Sequence, residues 1–189
     1  MEIKRNRCDW CGNDTLYINY HDNEWGKLVT GDLVLFEFLL LESAQAGLSW
    51  ITILKRRENY RKAFAGFDPS VIALFTEEDI EKLMQNQGII RNRKKIESTI
   101  TNAKYFLTIQ KEYGSFFNYL RSFFPGEFPV INSWKSINEI PAFTSISDAI
   151  SKDMKKKGFK FFGSTICYAY LQAVGFVNDH LIDCGFRNV

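Results

Sequence analysis

Only two histidines occur in this chain, His21 and His180, and each lies a short step from a cysteine at opposite ends of the sequence. Cys8 precedes His21 in a Cys-x12-His pattern, and His180 precedes Cys184 in a His-x3-Cys pattern. Tetrahedral zinc takes this mixture of thiolate and imidazole, and four protein ligands leave no open position for a substrate. The spacing therefore predicts a structural Zn2+ site, a clasp joining the two termini. The alternative use of the same residues is two buried thiols and two ordinary polar histidines. Cys11 stays in reserve as a ligand, because Cys8-x2-Cys11 can form a two-cysteine knuckle. Cys167 lies in the apolar run 166–171, where a free cysteine behaves as a small hydrophobe, and reads as core.

A length of 189 residues fits one domain with a sizeable core, and 1–189 is read as one. With 46% hydrophobic and 15% aromatic residues, the chain is far from the apolar-poor, charge-rich signature of disorder. A net charge of +2 neither demands nor excludes nucleic acid; a polyanion would have to be held by a local basic face. The polar opening from Met1 to Arg7 predicts no secretory leader. The longest apolar run, 33–41, is interrupted by Glu37 and is too short to span a bilayer, so no membrane partner is expected. Cysteines assigned to metal and core leave no disulfide framework, which suits a reducing compartment and predicts the cytoplasm. No segment is left over for assembly, and a monomer is the expectation.

Capping residues and apolar periodicity mark helices almost throughout, with no sustained alternation between hairpin turns, so the predicted class is all-α. Asp32 can cap a run through Leu41 that is apolar on nearly every side, the pattern of a helix buried in a bundle. Ser49 can cap the next helix, carrying Trp50, Ile53, Leu54 and later Phe64. Asp68-Pro69 combines an N-cap with proline in the first turn, and Thr76-Glu-Glu-Asp79 is a capping-box variant opening a helix that stops near Gly88. Another helix is expected from about Arg91 past Tyr105. Prolines 125, 129 and 141 with Gly126 predict a long irregular loop. Ser147 can cap a helix that ends in three lysines, 155–157, and stops at Gly158.

Gly158-Phe-Lys-Phe-Phe-Gly163 then separates that basic helix end from a helix over about 164–173. Glycines permit close backbone approach, and amides at the start of the second helix offer a seat for phosphate, with Lys160 nearby. A tight helix connection with no ligand has the same pattern. Gly88-Ile-Ile-Arg-Asn-Arg-Lys-Lys95, a glycine stop followed by four cations, is a rival phosphate site of similar quality.

Glu42 closes the apolar run, just before the turn-like stretch leading to Trp50. A carboxylate there is expected to be desolvated, so it must find donors or hold a raised pKa. Functional sites share this character, as do capping or salt-bridged glutamates. Trp10, Tyr17, Tyr20, Trp25 and Trp50 crowd the same stretches of sequence. Flat rings can sandwich a base taken out of the DNA stack, although aromatics are more often simply core.

Four motifs in this chain resemble those of the type I DNA-3-methyladenine glycosylases. They are Tyr17-x2-Tyr20-His-Asp-Asn-Glu-Trp-Gly26, Leu41-Glu-Ser-Ala-Gln-Ala-Gly-Leu-Ser-Trp50, Gly88-Ile-Ile-Arg-x-Arg and Gly158-Phe-Lys-Phe-x-Gly163. The resemblance covers nearly the whole chain and implies a helix-hairpin-helix DNA glycosylase fold with structural zinc on Cys8, His21, His180 and Cys184. It implies excision of 3-methyladenine from double-stranded alkylated DNA, with free 3-methyladenine as product. It further implies that Glu42 reads the base edge, Trp50 stacks on the base, and Tyr20 lines the pocket with Trp10 and Trp25 nearby. Leu48 is implied as the wedge filling the gap in the duplex. The catalytic aspartate usual in helix-hairpin-helix glycosylases is generally missing from this family. Asp183 does not supply one, since its place beside Cys184 predicts a local structural role.

Little chemistry is then required of the protein, because methylation at N3 makes the purine cationic and a good leaving group. With both histidines committed to zinc, water activation falls to a carboxylate or to weakly assisted attack on an oxocarbenium-like sugar. Two other readings use the same features. A zinc deaminase would need His-x-Glu with Pro-Cys-x-x-Cys, and neither occurs. A non-enzymatic zinc-stabilised DNA-binding module would need no base pocket, which the aromatic cluster beside Glu42 argues against.

Overall fold

In the computed structural model, which describes residues 6–187, the centre is a helix buried on nearly every side, α2, Asp32–Gln45. It follows α1, Thr15–Asn23, which Asp14 caps by accepting from the amides of Leu16 and Tyr17. Leu35, Phe36, Leu39 and Leu41 of α2 are fully buried, as the unbroken apolar run requires. The expected capping by Asp32 is different in kind. Gly31 is the N-cap, and the Asp32 carboxylate instead accepts from the amides of Phe116 and Phe117 at 2.9 and 3.1 Å. Those amides open another helix and have no partner within it, so a carboxylate packed against them is better placed there than on its own first turn.

The helix expected from Ser49 to Phe64 is two, α3 over Trp50–Leu54 and α4 over Arg57–Ala63. The Ser49 hydroxyl meets that of Thr52 at 2.7 Å and makes no capping bond. α5, Pro69–Ile72, and α6, Glu77–Gln85, carry the predicted caps, with Thr76 and Asp79 forming a reciprocal box. α7, Arg93–Tyr113, begins two residues later than expected because Asn92 caps it. α8, Phe116–Arg121, packs beside it, with Phe106 and Phe116 rings stacked at 4.2 Å.

The loop after α8 is irregular as predicted but contains β1, Val130–Ile131, in parallel register with β2, Val177–Asn178. Two residues per strand are too few to leave an alternation signal, so the described residues are mostly rather than wholly helical. α9, Ser145–Lys157, is capped by Thr144 rather than Ser147, which sits at the third helical position and bonds back in a box. Gly158 ends it in the left-handed conformation, and α10, Ser164–Ala173, returns against it. Among the described residues no helix is long and apolar enough to cross a membrane.

Candidate functional site

Cys8, His21, His180 and Cys184 converge, all buried, with their donor atoms within 4.8 Å of one another. Cys184 Sγ lies 3.3 Å from His180 Nδ1 and 3.6 Å from His21 Nε2, and Cys8 Sγ lies 3.7 Å from His180 Nδ1. Zn–S and Zn–N bonds of about 2.3 and 2.0 Å give tetrahedral sulfur-to-nitrogen edges of roughly 3.6 Å. The remaining ring nitrogens are already engaged. His21 Nδ1 is 2.7 Å from Asp22 Oδ1, and His180 Nε2 donates to the Trp25 carbonyl at 3.1 Å. Such outer partners turn the free nitrogen of each ring toward a metal. Burial holds the His180 pKa down to about 4 and pushes the Cys8 thiol up to about 12, so both of these groups favour their neutral forms. The cluster could hold a metal ion. Cys11 lies outside it, its buried thiol donating to the Cys8 carbonyl at 3.2 Å.

One layer of rings separates this cluster from a cavity of about 300 Å³. Trp10, Tyr17, Tyr20, Trp25, Glu42 and Trp50 all line it, so the aromatics and carboxylate singled out from sequence come together. Trp10 packs edge-on to Trp25 at 4.9 Å and to His21 at 5.3 Å, and Trp25 lies 4.6 Å from His180. Tyr20 and Trp50 are 5.5 Å apart across the wall. Glu42 is 4% exposed, and burial alone pushes its carboxyl up to about 8. No hydrogen bond to its side chain occurs among the described residues, so the helix-cap and salt-bridge alternatives do not apply. Beside it, Ser43 Oγ and Trp50 Nε1 are also buried without partners.

Leu48 sits on the loop between α2 and α3, 37% exposed, next to Gly47 with φ +82°. In the α9–α10 hairpin, Gly158 is required twice over: its φ is +106°, and a Cβ there would strike the Tyr105 ring. Gly163 is the N-cap of α10, and a Cβ added there meets nothing within 4 Å. The exposed Lys160 has its backbone fixed by Asn102, whose amide accepts from Lys160 N at 2.8 Å and donates to Lys160 O at 3.0 Å. The rival stretch at 88–95 is less basic in space than in sequence. Arg93 is paired with Glu77 and Glu81, and Lys95 donates to two carbonyls, leaving Arg91 and Lys94 exposed. Asp183 is exposed in the turn before Cys184.

Sequence reasoning missed the supporting residues. Asp22 receives both His21 and a forked Arg7 guanidinium, and its adjacency to His21 was the available signal. Buried Asp179 accepts from Asn132, Trp134, Tyr168 and Gln172 at 2.5–2.8 Å, and no local pattern marks it. Gln172 and Gln45 also line the cavity.

The sequence model of the methyladenine glycosylases matches residues 10–188. The chain belongs to that family. It is 51% identical to DNA-3-methyladenine glycosylase 1 of Escherichia coli (strain K12), over 94% of this chain and 95% of that protein. Against DNA-3-methyladenine glycosylase of Haemophilus influenzae the identity is 48%, over 94% and 96%. A 3-methyladenine DNA glycosylase I from Staphylococcus aureus, solved for its recognition of 3-methyladenine, superposes with TM-score 0.92 at 38% identity, over 97% of each chain.

Proposed function

We propose that this chain is a DNA-3-methyladenine glycosylase of base-excision repair, hydrolysing the N-glycosidic bond of 3-methyladenine in alkylated double-stranded DNA. The observation that carries it is Glu42, desolvated and without a hydrogen-bond partner in a ring-lined cavity, in a chain of this family. Glu42 recognises the edge of the extruded base, and its carboxyl, pushed up to about 8 by burial, ionises against a cationic purine. Trp50 stacks on the base, and Tyr20, Tyr17, Trp10 and Trp25 complete the walls by cation-π and packing contacts. The bond from C1′ to the base breaks, a water oxygen adds at C1′, and the cationic purine leaves neutral with the bonding electron pair. The water's proton passes to a carboxylate or to solvent.

The helix-hairpin-helix element is α9 and α10, with Gly158, Lys160 and Gly163 against the DNA backbone and Leu48 as the wedge. Cys8, His21, His180 and Cys184 hold a structural Zn2+, supported by the fit of the donor set and its outer partners. An ion so enclosed has no open position, and its chemistry is cross-linking of chain ends. Residues 1–189 act as one domain, as a cytoplasmic monomer.

The test is release of 3-methyladenine from methylated duplex DNA, scored with metal content on the same purified sample. Glu42→Gln and Trp50→Ala are each expected to lower kcat/KM by about 10–100-fold, the loss of an edge contact or a stacking face. Unchanged excision and unchanged binding of the free base in both variants would overturn the assignment.

A further inference from the structure

The loop at 46–49 joins Glu42's helix to Trp50's helix and carries Leu48 at its tip. It is closed on itself by two bonds: Leu48 N donates to Gln45 O at 2.6 Å, and Gln45 Nε2 donates to Leu48 O at 2.5 Å. A third restraint comes from far along the chain. Lys95, in the first turn of α7, places its ammonium on the carbonyls of Ala44 at 2.8 Å and Ala46 at 2.6 Å. Those carbonyls stand at the end of α2, where the helix supplies no donors. Lys95 forms no ion pair among the described residues, so this partly buried cation is directed entirely at the base of the loop. Its own amide donates to the Asn92 cap at 3.2 Å, which ties it to the turn at 88–92.

A side chain that enters a base stack works against an unstacking penalty of about a few kcal/mol, and a loop that yields would relax instead of opening the step. We propose that Lys95 is a positioning residue that braces the loop at 46–49, so that extrusion of a base from duplex DNA depends on a lysine that does not line the cavity. The proposal rests on the reading of Leu48 as the wedge. A lysine that merely satisfied the end of α2 would support stability alone, with no preference for duplex substrate.

The full chain carrying Lys95→Met is assayed under single turnover on methylated duplex and on the same methylated strand alone, where no partner-strand gap needs filling. The expected result is a loss of about 10–100-fold on the duplex, up to the cost of an ångström's misplacement from a remote site, and less than about twofold on the single strand. Amide exchange at 46–49 is expected to speed up while the middle of α2 stays protected. Leu48→Ala is run alongside. If it shows the duplex-selective loss and Lys95→Met does not, the bracing role is overturned and the wedge stands. If Leu48→Ala shows none, the wedge reading falls and the bracing role with it. Equal losses of Lys95→Met on both substrates also overturn the proposal. Should Lys95→Met fail to fold, Lys95→Gln, which keeps one amide donor, carries the same comparison. No release by the unsubstituted chain would refute the glycosylase reading itself.

Discussion

The Cys/His cluster and the ring-lined cavity share a wall of two tryptophans, yet they treat polar atoms in opposite ways. Around His21 and His180 the outward ring nitrogens are matched, to Asp22 and to the Trp25 carbonyl, and Asp22 is held in turn by Arg7. Across Trp10 and Trp25, Glu42 and Trp50 line the cavity, Glu42 with no hydrogen bond to its side chain among the described residues and Trp50 Nε1 buried without a partner. Buried polar groups are ordinarily paired, and leaving one unpaired costs about 1–3 kcal/mol. The polar atoms of the first are matched by neighbours within the fold; those of the second keep bonding capacity to spare. The shared wall means that order in the first is a condition for shape in the second.

The largest effect should come from opening the clasp. Cys184→Ser, or prolonged chelation of the native chain, is expected to lower Tm by at least about 10 °C, as losing several kcal/mol does in a chain of this size. Differential scanning calorimetry with metal analysis reads both consequences. A chain that keeps its Tm after losing all bound metal would show that the cluster is not structural, and the contrast with the cavity would collapse.

Glu42 gives the next largest effect, with a sign that depends on pH. Its folded pKa, about 8, is above the ordinary 4.5, so the folded state keeps a proton that the unfolded state releases. The associated stability is complete below about pH 4.5 and is lost as pH rises toward 8. Glu42→Gln removes that slope. From pH 5 to pH 8 the variant should gain on the native protein by on the order of 3 kcal/mol, measured by urea unfolding. Excision should fall in the same variant, so one substitution flattens the pH dependence of stability and impairs activity. Parallel pH profiles for the two proteins would mean that Glu42 is solvated or paired in solution.

These two sites were also unequally legible. The convergence of Cys8, His21, His180 and Cys184 could be read because the chain has only two histidines, and each pairs with a cysteine by spacing. Glu42 stood out because it closes an apolar run, and Gly158 because three lysines lead into it. What escaped depends on contacts across long stretches of sequence. Asp32 was expected on its own helix and instead caps α8, 84 residues on. Lys95 looked like one more phosphate-facing cation, but its partners are carbonyls 49 and 51 residues earlier. Asp179 gathers four donors from a loop and a helix that no local pattern brings together. Local chemistry marks which groups are unusual; packing decides what they face.

Cys11 offers the finest division between the two sites, because its sequence spacing from Cys8 made it a reserve ligand while its thiol bonds the Cys8 carbonyl instead. Burial pushes that thiol's pKa up, and nothing aims its sulfur at the two imidazoles, so it should stay protonated when the cluster fills. Serine is smaller but retains the donor, and the same bond to Cys8 O can form. Cys11→Ser is therefore expected to bind the same amount of metal as the native chain, with a Tm change of no more than about 3 °C, equivalent to about 1 kcal/mol. Inductively coupled plasma analysis of the two proteins decides it. A drop in bound metal matching that of Cys184→Ser would place Cys11 among the ligands and displace one of the four now assigned.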